Sequence, residues 1–235
     1  FSPEKYAQFG NLPVAVAFGA AVAANIAAKV VFFPKNFDLK PEGPLFTRRI
    51  RIAIAATILI YALFFSIVSV MRHSSFNSTA FDLAIFDQTM WGYSHGYGPG
   101  FFNTVRGLVL LGDHMQPILF VYSLLYKFLP MPESLLVLQS FALALWALPI
   151  YLLARKRIGS AAAAMVAASY LFYPSLQYIS LFDFHPEAFV TPLLLFALFF
   201  VDVKKYLAAA AMLVLTGLSK EHFPLAIVSI GAYVF

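Results

Sequence analysis

Three short polar clusters, far apart in the chain, carry nearly all the side chains able to do chemistry. The first lies in residues 73–117, the longest stretch without a membrane-length apolar run, and holds Asp82, Asp87, Asp113 and His114. The second is Phe182-Asp183-Phe184-His185-Pro186-Glu187 and the third is Ser219-Lys220-Glu221-His222. Carboxylates and imidazoles move protons and bind cations, and an ammonium holds an anion, so the set is suited to acid–base or phosphate chemistry. Each cluster also has a plainer reading. Thr79-x-x-Asp82 fits a capping box, in which the side chains satisfy the first backbone N–H groups of a helix. Asp87 follows five residues after Asp82, about 140° around a helix, so the two do not form a close pair. Asp113-His114 reads equally as a helix-start turn, and Lys220-Glu221 as a neutralised neighbour pair. Asp183-x-His185-x-Glu187 puts metal-capable groups at alternate positions, but Pro186 and the short spacing make it a weak metal motif. Gly96, Gly98 and Gly100 form a flexible loop and not a phosphate cradle, because no Gly-Lys-Ser follows. His73 and His95 read as exposed, and Trp91, Tyr93, Phe101 and Phe102 as interfacial anchors.

The elements that must position these clusters are membrane helices. The chain is 61% hydrophobic and 11% charged, which suits an all-α, polytopic transmembrane bundle far better than a soluble domain. There is no cysteine, so disulfides and thiolate metal sites are excluded. The net charge of +5 raises the question of nucleic acid, and the placement of the basic residues answers it. They fall in short groups between apolar runs, which sets membrane orientation and builds no nucleic-acid face.

About seven spans are expected. An N-terminal one, at 12–33, is followed by a linker with Lys35, Lys40, Arg48, Arg49 and Arg51, cytoplasmic by the positive-inside rule. Residues 1–50 thus form an extra span and linker, and 51–235 the main transmembrane domain, read as a fragment that continues beyond residue 235. A span at 52–71 delivers the chain to an outer loop at 73–117. The next apolar stretch, 118–129, is bounded by Pro117 and Pro130 and is too short to cross, so it is expected to lie in the outer interface. Spans at 134–154, 161–180, 188–201 and 206–219, with another from 223, then place Arg155, Lys156, Arg157, Lys204 and Lys205 inside. Most acidic residues and all histidines fall outside, and the three clusters share one extracytoplasmic face of the cell membrane.

From about Arg48 onward the chain resembles a predicted membrane-protein family, domain of unknown function 2079. The likeness is carried by Phe-Asp-Leu-Ala-Ile-Phe-Asp-Gln-Thr-Met-Trp, Gly-Asp-His-Met-Gln-Pro, Leu-Leu-Ala-Arg-Lys-Arg, Phe-Asp-Phe-His-Pro-Glu and Ser-Lys-Glu-His, in that order. The wider relatives of that family resemble the GT-C glycosyltransferases, which use polyprenyl-phosphate sugars on the outer membrane face. The resemblance implies a GT-C-like fold and inverting glycosyl transfer. It implies catalytic roles for Asp82, Asp113, His114, Glu187 and Lys220, and substrate contacts for Asp87, Asp183, His185, Glu221 and His222. Asp82 would be the general base, and Lys220 with His114 or His185 would stabilise the departing phosphate. A divalent cation such as Mg or Mn, held by Asp82 with Asp183 or Glu187, would do the same work. Membrane lipid and a lipid-linked sugar are the implied partners, with the lipid tail beside 118–129. The alternative is a non-catalytic structural or assembly subunit of a membrane complex, packed against partner subunits. The first motif lacks the paired Asp-Glu of many such enzymes, and Glu221 stands where their turn has glycine.

Overall fold

Apolar helices dominate because the chain has few groups that water would reward and a backbone whose hydrogen bonds must be closed locally. The computed structural model describes residues 43–79 and 81–234, all within one contact unit, 41–235. The expected span at 12–33 and the first part of its linker, residues 35–42, therefore lie outside the described residues.

The helix α1, Pro44–Ser74, opens on its proline, at a first-turn position where the missing N–H costs nothing. It buries Ile54, Tyr61, Ala62 and Phe65 and leaves Ile60, Phe64 and Ile67 exposed, an apolar outer face that suits lipid. After it come α2 (Asp82–Ser94), a two-residue antiparallel pair β1 (Phe102–Asn103) and β2 (Leu108–Val109), and the single turn α3 (Leu110–Asp113). α4, Ile118–Tyr126, has nine residues. That is about 14 Å at 1.5 Å per residue, well short of a hydrocarbon core of about 30 Å.

α5 (Pro132–Leu145) and α6 (Ala147–Leu171) form one helical stretch of 40 residues, broken at Gly159 by φ 80° and ψ 167°. The break reverses the chain. Tyr170 donates to the Leu143 carbonyl at 3.1 Å and its ring stacks on Trp146 at 5.6 Å, so residues 160–171 run back along the preceding arm. Ala163, Ala167 and Leu171 then join Ile54, Tyr61, Leu143 and Tyr151 in one core. α7 (Pro174–Leu181), a 3-10 turn (Pro186–Phe189), α8 (Val190–Asp202), α9 (Tyr206–Gly217) and α10 (Pro224–Val234) complete the order.

The architecture is helical, with only the small β pair besides among the described residues. Two helical stretches there, Pro44–Ser74 and Pro132–Leu171, are long and apolar enough to cross a membrane. The expected bounds of the later spans are corrected in detail. α8 and α9 have 13 and 12 residues, about 20 and 18 Å, because a polar turn precedes the first and follows the second. The single outward pass expected at 161–180 is likewise divided, Phe172 and Tyr173 separating α6 from α7 where Pro174 cannot continue the ladder.

Two basic turns meet at one end of the fold: Lys156, beside the Gly159 reversal, bonds Asp202 at 2.5 Å, just before Lys204 and Lys205. The start of α1 lies near the same reversal, with Ile50 and Ile54 lining a cleft together with Ala161 and Ala164. The three polar clusters gather elsewhere, on the turns that close the opposite ends of these helices.

Candidate polar site at the loop-bearing end

Three anchors bring the clusters together, each satisfying backbone groups of a distant loop. Gln139 on α5 donates to the carbonyls of Ile179, Phe182 and Asp183 at 3.2, 3.2 and 3.3 Å. Its Oε1 accepts the His185 N–H at 2.7 Å, so one buried amide fixes the whole turn that carries the second cluster. On α2, Gln88 accepts the Thr104 N–H at 2.9 Å while Asn103 donates to the Ile85 carbonyl at 2.8 Å. These bonds dock the β pair on the helix and aim Arg106 at α3. The Ile118 N–H donates to the Leu218 carbonyl at 3.0 Å, which lays the third cluster beside residues 114–117.

With the loops so held, Lys220 Nζ donates to Glu187 Oε1 at 2.6 Å, and Gln116 Nε2 reaches the same oxygen at 3.3 Å. His114 Nδ1 and Glu221 Oε1 are 3.1 Å apart, and the Met115 N–H donates to the other Glu221 oxygen at 3.1 Å. Arg106 grips Asp113 through two bonds of 2.7 and 3.0 Å. Asp113, His114, Glu187, Lys220 and Glu221 thus form one linked group drawn from all three clusters. Lys220 pairs across the chain with Glu187 and not with its neighbour Glu221, correcting the neighbour-pair reading. Asp113 closes a helical turn and His114 follows as its cap, so this is a helix end and not a helix start.

Hydrogen bonds first, and charges after them, act on two carboxyls of the group. Hydrogen bonds from Arg106 hold the Asp113 carboxyl below its ordinary value against a small opposing effect of burial, helped by the charges of Arg106, His114 and Lys220. Glu221 is also held low, by its own backbone N–H first and then by His114 and the Met115 N–H. Burial pushes the Tyr122 phenol up, and the nearby Glu187 charge adds to it, so Tyr122 stays a hydrogen-bond donor. Among the described residues Tyr122 OH, Gln116 Oε1 and Glu187 Oε2 are buried without a hydrogen-bond partner. One donor and two acceptors around an ion pair suit a ligand hydroxyl, since leaving them unpaired costs about 1–3 kcal/mol each. Gln116 and Tyr122 were not singled out from the sequence. The first stands inside the Gly-Asp-His-Met-Gln-Pro motif, but the second is hidden in an apolar run.

The other predicted residues are placed differently. Asp82 opens α2 with no hydrogen bond or ion pair from its side chain among the described residues; the preceding Phe81 ring lies 6.0 Å from the Arg106 guanidinium. The capping-box reading is corrected, because Phe81 is the N-cap without a side-chain bond and Thr79 turns away to Asp183. Asp183, fully buried, accepts from Arg72 at 2.7 Å and from both the N–H and the hydroxyl of Thr79. Burial pushes its carboxyl up, but those bonds and the Arg72 charge outweigh it and hold the group low. Asp87 sits apart, accepting from Tyr126 at 2.5 Å; burial raises its carboxyl despite that bond, and the Glu133 charge adds to the rise. His185 Nδ1 lies 3.0 Å from the Asp183 carbonyl, and the exposed His222 packs against Phe223. His73 is half-buried against Ser78 instead of exposed, whereas His95 is exposed as expected.

The metal motif at 183–187 does not form: its three members face Arg72 with Thr79, a backbone carbonyl, and Lys220. No group of three His, Asp or Glu suited to a metal occurs among the described residues. A Mg or Mn ion shared by Asp82 and Asp183 does not fit either, since both Asp183 oxygens are already engaged.

Residues 72–235 match the model of a family described as predicted membrane protein, DUF2079. No curated protein and no solved structure matches the chain.

Proposed function

The chain belongs to this family of predicted membrane proteins, and from that premise we propose that it is a GT-C-like glycosyltransferase using a polyprenyl-phosphate-linked sugar on the outer face of the cell membrane. The observation that carries the reading is the meeting of Asp113, His114, Glu187, Lys220 and Glu221 from three separate loops around buried, unpaired polar atoms.

Most carboxylates near the site are committed: Asp113 to Arg106, Asp183 to Arg72 and Thr79, Asp87 to Tyr126, Glu221 to His114. Asp82 alone of the outer-loop acids keeps both oxygens open among the described residues, in the first turn of α2. In the proposed reaction Asp82 takes the proton of the acceptor hydroxyl as that oxygen bonds to the sugar carbon. The bond from the same carbon to the phosphate oxygen breaks, inverting the centre, and the charge left on the phosphate is taken up by Lys220, with His114 or His185 beside it. Gln116 and Tyr122 receive ligand hydroxyls, and Glu221 and His222 line the approach. The lipid tail lies along the apolar outer face of α4, where Val121, Leu124 and Leu125 are exposed.

A second reading is favoured by one observation: the charged groups are mutually saturated, as in a clamp that only holds loops together. In that case the chain is a non-catalytic subunit whose exposed α1 face meets partner membrane subunits. Incubating membranes that contain the full chain with a labelled polyprenyl-phosphate sugar separates the two. The enzyme reading expects transfer in the wild type and none in Asp82→Asn, with insertion intact. Unchanged transfer in that variant removes Asp82 from the mechanism. Stoichiometric co-purification with other membrane proteins, without turnover of any lipid-linked sugar, establishes the subunit reading.

A further inference from the structure

Away from the polar site, the C-terminal ends of α2 and α4 converge on a cleft of about 490 Å³ lined by Ser94, His95, Gly96, Lys127 and Pro130. We propose that this cleft binds the phosphate headgroup of an anionic phospholipid from the surrounding leaflet, with its acyl chains lying beside the exposed Phe128 and Leu129. The site is independent of the proposed transferase reaction.

Charge points to the headgroup. Lys127 is exposed and its ammonium makes no ion pair or hydrogen bond among the described residues. The exposed His95 lines the same cleft, its Nδ1 donating to the Trp91 carbonyl at 2.8 Å. Its ring stacks on Trp91 at a centroid distance of 4.3 Å, a contact that fixes its plane. Of the carboxylates nearby, Asp87 accepts from Tyr126, and Glu133 lies at the start of α5.

Apolar surface points to a lipid and not to a soluble anion. Directly beside Lys127, Phe128 is 82% exposed and Leu129 59%, just past the end of a helix too short to cross the bilayer. Trp91 and Tyr97 stack at the other rim, the amphipathic aromatic pairing that settles at headgroup depth. A basic side chain flanked by apolar residues on one side and aromatic ones on the other matches the polarity profile of a phospholipid read from phosphate to tail.

The test uses the full chain in nanodiscs of mixed phosphatidylglycerol and phosphatidylcholine, with retained lipid counted by native mass spectrometry after delipidation. The wild type is expected to retain phosphatidylglycerol preferentially. Lys127→Ala should weaken retention about fivefold, the effect of one basic side chain at an anionic surface. Lys127→Arg and the distant Lys204→Ala should retain it. Equal retention by the double variant Lys127→Ala, His95→Ala overturns the site, as does an equal loss in Lys204→Ala, which marks non-specific attraction. Displacement by soluble glycerol phosphate overturns the lipid assignment, because it shows an anion pocket that ignores the chains.

Discussion

At the scale of single residues, the chemistry of each acid is decided by what donates to it. Asp183 and Asp87 are the clearest contrast, since both are removed from water but only one is given a cation. Cutting Arg72 away strands the Asp183 charge in a buried turn, so Arg72→Ala should destabilise the fold by about 3 kcal/mol, the scale for breaking a buried pair. Unfolding in detergent measures this, and Arg72→Ala combined with Asp183→Asn should recover part of the loss. The pH dependences of the two acids run opposite ways. Asp183 is held below its unfolded value, so its stabilisation is present above about pH 4 and is lost as pH falls through the folded value. Asp87 is raised, so its contribution is present below the unfolded value and is lost as pH rises through the folded one. Asp87→Asn should therefore flatten the decline on the alkaline side of that window while still accepting from Tyr126, as a pH series of melting midpoints will show. The acids and histidines of the site were legible in the sequence because charged groups stand out in apolar surroundings. Their partners were not. Thr79 looks like a local cap, yet its bond goes to a residue 104 positions away, and tyrosines 122 and 126 are indistinguishable from their apolar neighbours until a fold places a carboxylate beside each hydroxyl.

At the scale of elements, two local features carry the arrangement. Gly159 has a backbone conformation open almost only to glycine, and the reversal it makes turns a 40-residue helical stretch into two antiparallel arms. Gly159→Ala should cost about 1–3 kcal/mol and lower the melting midpoint, with no comparable change from Gly112→Ala, where an added methyl meets open space. The prolines at 117 and 130 made the short helix readable from sequence, although α4 ends at Tyr126, three residues before the expected bound. The reversal before residue 161 was readable from its charges, although nothing marked Gly159 itself. The shortness of α8 and α9 was readable too, since the polar turns around 185–187, 202–205 and 219–222 left only about fourteen apolar residues for each. The docking of α4 against the 218–222 turn is open to a direct check. The chain has no cysteine of its own, so His114→Cys with Glu221→Cys should be bridged by a short bifunctional thiol reagent, which spans the gap left by the two removed side chains. Failure of that pair, with efficient bridging of His114→Cys to a position on another turn, would separate the first and third clusters.

At the scale of the whole molecule, the account is a polarity sorted along the helix axes. Basic turns at 155–157 and 202–205 meet through Lys156 and Asp202, while the acids, histidines and Lys220 meet on the turns at the other ends. Ion pairs at each end join loops of different helices, so the sorting is fixed by the fold as well as by insertion. That those two ends lie on opposite sides of a membrane is the claim from which the proposed site follows. Single cysteines at the exposed positions His222 and Lys204, labelled in intact cells with a membrane-impermeant maleimide, test it most directly. The account predicts that His222→Cys labels at once and that Lys204→Cys labels only after the membrane is opened; labelling of both from one side, or the reverse order, would contradict it.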